Sequence, residues 1–183
     1  MTHAELNKAF DKIEKQRKDL FVKLKSYNDK ILNQKPAENV WSVIEVVDHL
    51  KTAEDFSYQY LLKKTQDNAS AQKVGLKETL RSVLLNAYLR SNKKFKAPAV
   101  TIPSDSYATL SQADESWSKV RKDISGIWTG LPEDMLDRNW FKHPAAGKLS
   151  LMQMITFMQA HVGHHEKQIE RTLKAVSTDV IAN

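Results

Sequence analysis

The 183-residue chain contains no cysteine. That absence excludes a disulfide-stapled scaffold, thiolate metal sites and cysteine nucleophiles, and it fits a reducing compartment. No apolar run approaches the ~18 residues that a membrane-spanning helix requires. Met1-Thr2-His3-Ala4-Glu5-Leu6 leads directly into charged amphipathic sequence, without the apolar core of a secretory signal. The expected location is therefore the cytoplasm, away from membranes. Glycine and proline are scarce, with five of each. Chain breakers thus fall between long segments of helical periodicity, and no segment reads as an alternating strand.

The 28 Lys and Arg residues exceed the 22 Asp and Glu, for a formal charge of +6 and a pI near 9.4. The densest basic cluster, Arg90-Ser91-Asn92-Lys93-Lys94-Phe95-Lys96, falls where a helix should end before Pro98. Cations in a last helical turn are favoured by about 0.3–1 kcal/mol each through the macrodipole. Elsewhere acids and bases alternate, as from Asp11 to Asp19, in the manner of a solvated helix face. Nucleic acid is not an expected partner, because net charge alone produces only nonspecific attraction.

Residues 3 to 33 carry Leu6, Phe10, Ile13, Leu20, Phe21, Leu24, Tyr27 and Leu32 at mostly i, i+3, i+4 spacing, predicting a first helix. Ser42 and Glu45 have capping-box spacing, so a second helix should start at Ser42 and fade between Thr65 and Lys73. A third should run from Leu76 to about Lys94. The segment from Ala97 to Ser104 reads as an extended crossover, and the next helix as Thr109 to Gly130. The stretch from Leu131 to Leu149 is at the edge of the length of an ordinary loop, which points to partial structure or a functional role there. Ser150 can cap a final helix reaching roughly Val176. Four long helices and an extra short helical segment predict an all-α, four-helix bundle with crossover connections, one domain over residues 1–183. A chain of this size buries about 70% of its extended surface and needs no covalent staples.

Six histidines are present: His3, His49, His143, His161, His164 and His165. With the last helix wound at about 100° per residue, His165 falls inside the stripe of Met154, Ile155, Met158, Val162, Ile169 and Leu173, and His161 at its edge. His164 lies about 140° away, toward solvent. His161 and His165 form an inward i, i+4 pair whose spacing suits a divalent metal and equally suits a hydrogen-bonded polar core. The sequence does not match His-Glu-x-x-His, so a zinc-protease reading fails. His49, flanking the apolar stripe of the second helix, is the candidate third ligand. Glu45, one turn earlier, can cap its helix or orient the His49 ring, and Gln168 stands in a similar position toward His165. Asp48 points about 100° from His49 and is a poor base. His143 belongs to the long loop and can approach the mouth of the bundle. Trp41 and Trp117 read as core residues.

Two segments carry a family resemblance. Trp41-Ser42-Val43-Ile44-Glu45-Val46-Val47-Asp48-His49-Leu50 and His161-Val162-Gly163-His164-His165-Glu166-Lys167-Gln168-Ile169 are similar to the two signature segments of the DinB-like family. Phe95-Lys96-Ala97-Pro98, followed by a proline-bearing crossover into the helix holding Trp117 and Arg121, resembles that family's linker. The resemblance implies a four-helix bundle, often dimeric, whose metal triad falls on His49, His161 and His165. It implies a divalent transition metal, zinc or nickel foremost, and a relation to bacterial thiol-dependent transferases. The expected function is a metal-dependent thiol S-transferase or hydrolase acting on a small molecule, with a low-molecular-weight thiol as partner and a homodimer as the assembly. The alternative is a non-catalytic stress or interaction protein whose metal is structural or absent. Three neutral imidazoles leave coordination positions open, and such a site lowers the pKa of bound water to near ~7.

Overall fold

Helix starts follow the capping chemistry written in the sequence. The side chains of Thr2, Ser42, Thr109 and Ser150 each accept a hydrogen bond from a backbone N–H three residues on, at Glu5, Glu45, Gln112 and Gln153. Each of those four residues returns a side-chain oxygen to the backbone N–H of its cap, so four capping boxes set four helix starts. The computed structural model describes residues 1–66, 71–91 and 107–181. Its elements are α1 (His3–Leu24), α2 (Asp29–Asn33), α3 (Val43–Gln66), α4 (Leu76–Arg90), α5 (Leu110–Thr129), β1 (Phe141–His143), β2 (Gly147–Leu149) and α6 (Leu151–Ile181). A 3-10 turn at Glu133–Met135 precedes the strands.

The fold is an all-α bundle. Helix α1 packs on α5, α5 on α3, α3 on α6, and α6 back on α1, which closes a four-helix ring. Helix α4 lies outside that ring against α6 and β2. The inner stripes predicted from periodicity are buried, among them Ile13, Val43, Val47, Leu50, Trp117, Ile124, Met154, Val162 and Ile169.

Three boundaries differ from the sequence reading. The first helix breaks after Leu24, and α2 restarts at Asp29, because the Asn28 side chain accepts from the Ile31 N–H at 2.9 Å and caps a new helix. Helix α4 stops at Arg90, where Ser91 turns extended and its hydroxyl donates to the Tyr88 carbonyl at 2.6 Å. Helix α6 runs past Val176 to Ile181. The expected crossover from Ala97 to Ser104 and most of the basic cluster after Arg90 lie outside the described residues.

The segment read as a loop without strands contains an antiparallel hairpin in which Phe141 pairs with Leu149 and His143 with Gly147. Gly147 has φ 81°, a left-handed conformation that costs glycine little and closes the tight turn. Inside the ring, Glu54 of α3 accepts the Trp117 indole N–H at 2.7 Å and the Arg121 Nη2 at 2.6 Å, and Arg121 Nε bonds to the same carboxylate. Both charged side chains are almost completely buried. The pair ties α3 to α5 and so fixes the helix that bears His49.

Candidate metal centre

His49 lies in the second turn of α3, close to the capping box at Ser42 and Glu45, so its rotation about the helix axis is set by that cap and by the buried stripe of Val43, Val46, Val47 and Leu50. His161 and His165 stand on consecutive turns of α6, which faces α3 across the bundle. The three rings converge. Nε2 of His161 is 3.3 Å from Nε2 of His49 and 3.2 Å from Nε2 of His165, and one nitrogen from each of the three rings lies within 4.8 Å of the others.

Those distances suit a cation site as well as a polar contact. A ring nitrogen bears either one proton or one lone pair, so Nε2 of His161 either donates to one of its two close neighbours or shares a single lone pair between both. A single cation satisfies all three nitrogens at once. A tetrahedral ion with metal–nitrogen bonds of about 2.0–2.1 Å places its ligand atoms about 3.3–3.4 Å apart. The two separations from His161 agree with that spacing, and the donor set of three imidazoles suits a borderline-soft divalent metal.

Protonation points the same way. The His161 imidazolium is held well below the ordinary pKa of 6.5, first by loss of hydration and then by the neighbouring His165 and His49. Burial, followed by His49, brings His165 down to about 3, opposed by its bond to Gln168. Both rings are thus neutral at pH 7, the form that binds metals. Nδ1 of His165 is 2.8 Å from Oε1 of Gln168. An amide oxygen only accepts, so Nδ1 holds the proton and the lone pair is left on Nε2, toward the other two rings.

The triad borders a cavity of about 880 Å³. Trp41, Phe56, Tyr60, Phe141 and Phe157 supply most of its aromatic wall, and Phe157 stacks on the His161 ring at 5.3 Å with an interplanar angle of 16°. Among the described residues the cluster contains three metal-ligating side chains and no fourth. Any coordination position beyond the imidazoles would therefore belong to water or a ligand.

The remaining site residues are distributed as follows. Glu45 performs the capping role, with Oε2 on the Ser42 N–H and Oε1 2.7 Å from Lys35 Nζ. Asp48 is buried beside Lys51, 3.4 Å away. Trp117 is core, as expected, whereas Trp41 lines the cavity with its ring 5.1 Å from His49. His164 does not turn fully to solvent. Its Nδ1 lies 3.0 Å from the Leu89 carbonyl of α4, which covers that side of α6. His143 is brought to the cavity by the hairpin, which sequence reasoning had missed. The available signal was Gly147 four residues after His143, between Phe141 and Leu149, the flanks of a turn.

With this geometry in place, comparison with known proteins gives a consistent answer. The chain is 32% identical over 164 residues, 90% of its own length and 94% of the relative's, to a Bacillus subtilis (strain 168) protein named Uncharacterized protein YuaE. No solved structure matches it. The sequence profile of the DinB superfamily matches residues 12–169, a span that includes all three histidines of the triad, and the chain belongs to that superfamily.

Proposed function

We propose that the protein is a divalent-metal-dependent enzyme, a thiol S-transferase or a hydrolase, acting on a small molecule at the His49, His161 and His165 site. The observation that supports this reading most is the convergence of three imidazoles, with His161 and His165 held neutral by burial, on the wall of an aromatic cavity with no fourth side-chain ligand in the cluster. When bound there, zinc or nickel would supply Lewis acidity that makes water or a low-molecular-weight thiol a nucleophile at neutral pH.

The chain's own residues have separable tasks in this reading. His49, His161 and His165 hold the ion, and Gln168 fixes the His165 tautomer. Trp41 and Phe157 flank the ligand rings and narrow their access to solvent, while the rest of the aromatic wall receives the apolar body of the substrate. In thiol transfer, a carbon–sulfur bond forms as the leaving group departs from the electrophile, and the thiol proton passes to solvent. The expected location is the cytoplasm; among the described residues no helix is long and apolar enough to cross a membrane.

Incubation of zinc- or nickel-loaded protein with a chlorodinitrobenzene and a small thiol, or with a nitrophenyl ester alone, tests the two chemistries. Metal-dependent turnover that vanishes in the His161→Ala/His165→Ala double variant supports the reading, and metal-loaded protein inert toward a broad panel of electrophiles argues against it.

A second reading is favoured by one surface. Leu76, Leu80, Val83 and Leu84 on α4 are exposed at 91%, 60%, 59% and 60% and recur at helical spacing. This stripe fits a homodimer in which a second copy of the chain covers α4. It also fits the alternative of a non-catalytic interaction or stress protein, which turnover distinguishes from the first.

A further inference from the structure

His143 sits at the end of β1 and lines the same cavity as the triad, separated from it by the Phe157 ring. Its ring packs edge-on against Phe157 at 4.5 Å, and Phe157 in turn stacks on His161. The turn of the hairpin fixes its chemistry. The backbone N–H groups of Ala145 and Ala146 both point at Nδ1 of His143, at 3.1 and 3.2 Å.

A nitrogen that accepts two N–H groups cannot carry a proton of its own, so the neutral ring must be protonated at Nε2. Burial lowers the His143 pKa to about 4, which keeps the ring neutral across the physiological range. The Nε2–H has no partner among the described residues, and it lies on the ring edge opposite the turn. A neutral imidazole pinned in one tautomer is a preorganised hydrogen-bond donor with no positive charge to desolvate.

We propose that His143 is a specificity-determining residue whose Nε2–H donates to an acceptor oxygen of the cavity's ligand. The ligand class follows from the surroundings: a molecule with an aromatic or aliphatic body and an acceptor oxygen such as a carbonyl, ester, amide or nitro oxygen. The apolar body packs on the wall formed by Phe141 and Phe157, and the oxygen meets His143. An acceptor there leaves no buried donor unpaired, whereas a purely hydrocarbon ligand of the same shape strands the N–H and binds less well. The assignment of substrate class rests on the cavity being the enzyme's substrate site. The tautomer and the donor role do not.

Two measurements on the metal-free full chain test it, so the outcome does not depend on whether the triad takes a metal. Nitrogen NMR of histidine-labelled parent protein reads the tautomer directly, and a His143 ring protonated at Nε2 with bare Nδ1 is expected. Affinities are then measured for acetophenone and α-methylstyrene, which share a shape but differ in the acceptor oxygen. The ratio favouring acetophenone should fall about three- to tenfold in His143→Leu relative to the parent, the range expected for one neutral hydrogen bond. A proton on Nδ1 in the parent, or a ratio that is the same in parent and variant, overturns the proposal. Repeating the affinities on zinc-loaded protein separates the two claims: if His143 behaves as stated and no zinc binds, the metal-enzyme reading fails and the donor role stands.

Discussion

Nδ1 of His165 donates to Oε1 of Gln168 across one turn of α6, at 2.8 Å. The bond has a consequence at the opposite ring edge. By fixing the proton on Nδ1, Gln168 holds Nε2 of His165 in the state needed for a metal ligand. Gln168→Leu should therefore weaken zinc binding by roughly 10- to 100-fold without unfolding the chain, while Gln168→Glu, which keeps an acceptor, should not weaken it. Competition against a chromophoric chelator gives both affinities.

The buried Glu54 carboxylate is the point at which α3 and α5 are joined, through Trp117 and Arg121. Removing it leaves the indole N–H without its acceptor and the nearly inaccessible guanidinium with only Glu14, 3.8 Å away. Glu54→Ala should cost about 3–5 kcal/mol, the range for breaking a buried ion pair from one side. Urea unfolding should show a lower midpoint with an unchanged slope. Because the helix bearing His49 is held by this pair, loss of metal affinity should accompany the loss of stability.

Proton linkage gives a third expectation for the metal-free protein. Folding lowers the pKa of His143 to about 4 and of His165 to about 3, and lowers that of His161 well below 6.5. As pH falls through 6.5, the unfolded chain takes up protons on these rings and the folded chain does not. Stability is therefore full above pH 6.5 and declines as pH drops toward about 4, by about 1.4 kcal/mol per pH unit for each ring. The His161→Ala/His165→Ala variant should show a shallower decline between pH 7 and 5. Parallel stability curves would contradict this assignment.

The apolar stripe on α4 predicts a dimer that depends on it. Light scattering of the parent should give twice the chain mass, and Leu80→Glu combined with Leu84→Glu should return a monomer with its helical content intact. A monomeric parent at micromolar concentration would remove the dimer from the account.

Much of the bundle was legible because helix caps and apolar periodicity are local signals. Ser42 with Glu45 gave the start of α3, and the spacing of His161 and His165 gave their shared inward face. The missed features depend on what lies opposite a residue. His164 sits on the polar side of its own helix, yet α4 packs there and supplies the Leu89 carbonyl. Trp41 begins a helix as a core tryptophan would, but the neighbouring space is the cavity. The hairpin strands have three residues each, too few for alternation to register, and their main marker was the glycine at the turn. Asn28 was a cap inside a continuous apolar pattern, which the periodicity of Tyr27 and Leu32 masked.

The most direct test of the account is metal content, measured by elemental analysis on protein purified without an affinity tag or added metal, beside the His161→Ala/His165→Ala variant. About one equivalent of a transition metal per chain in the parent and little in the variant is the expected result. A parent that holds no metal even after dialysis against zinc and nickel salts would contradict it, and would leave the three histidines as a polar contact within a helical bundle.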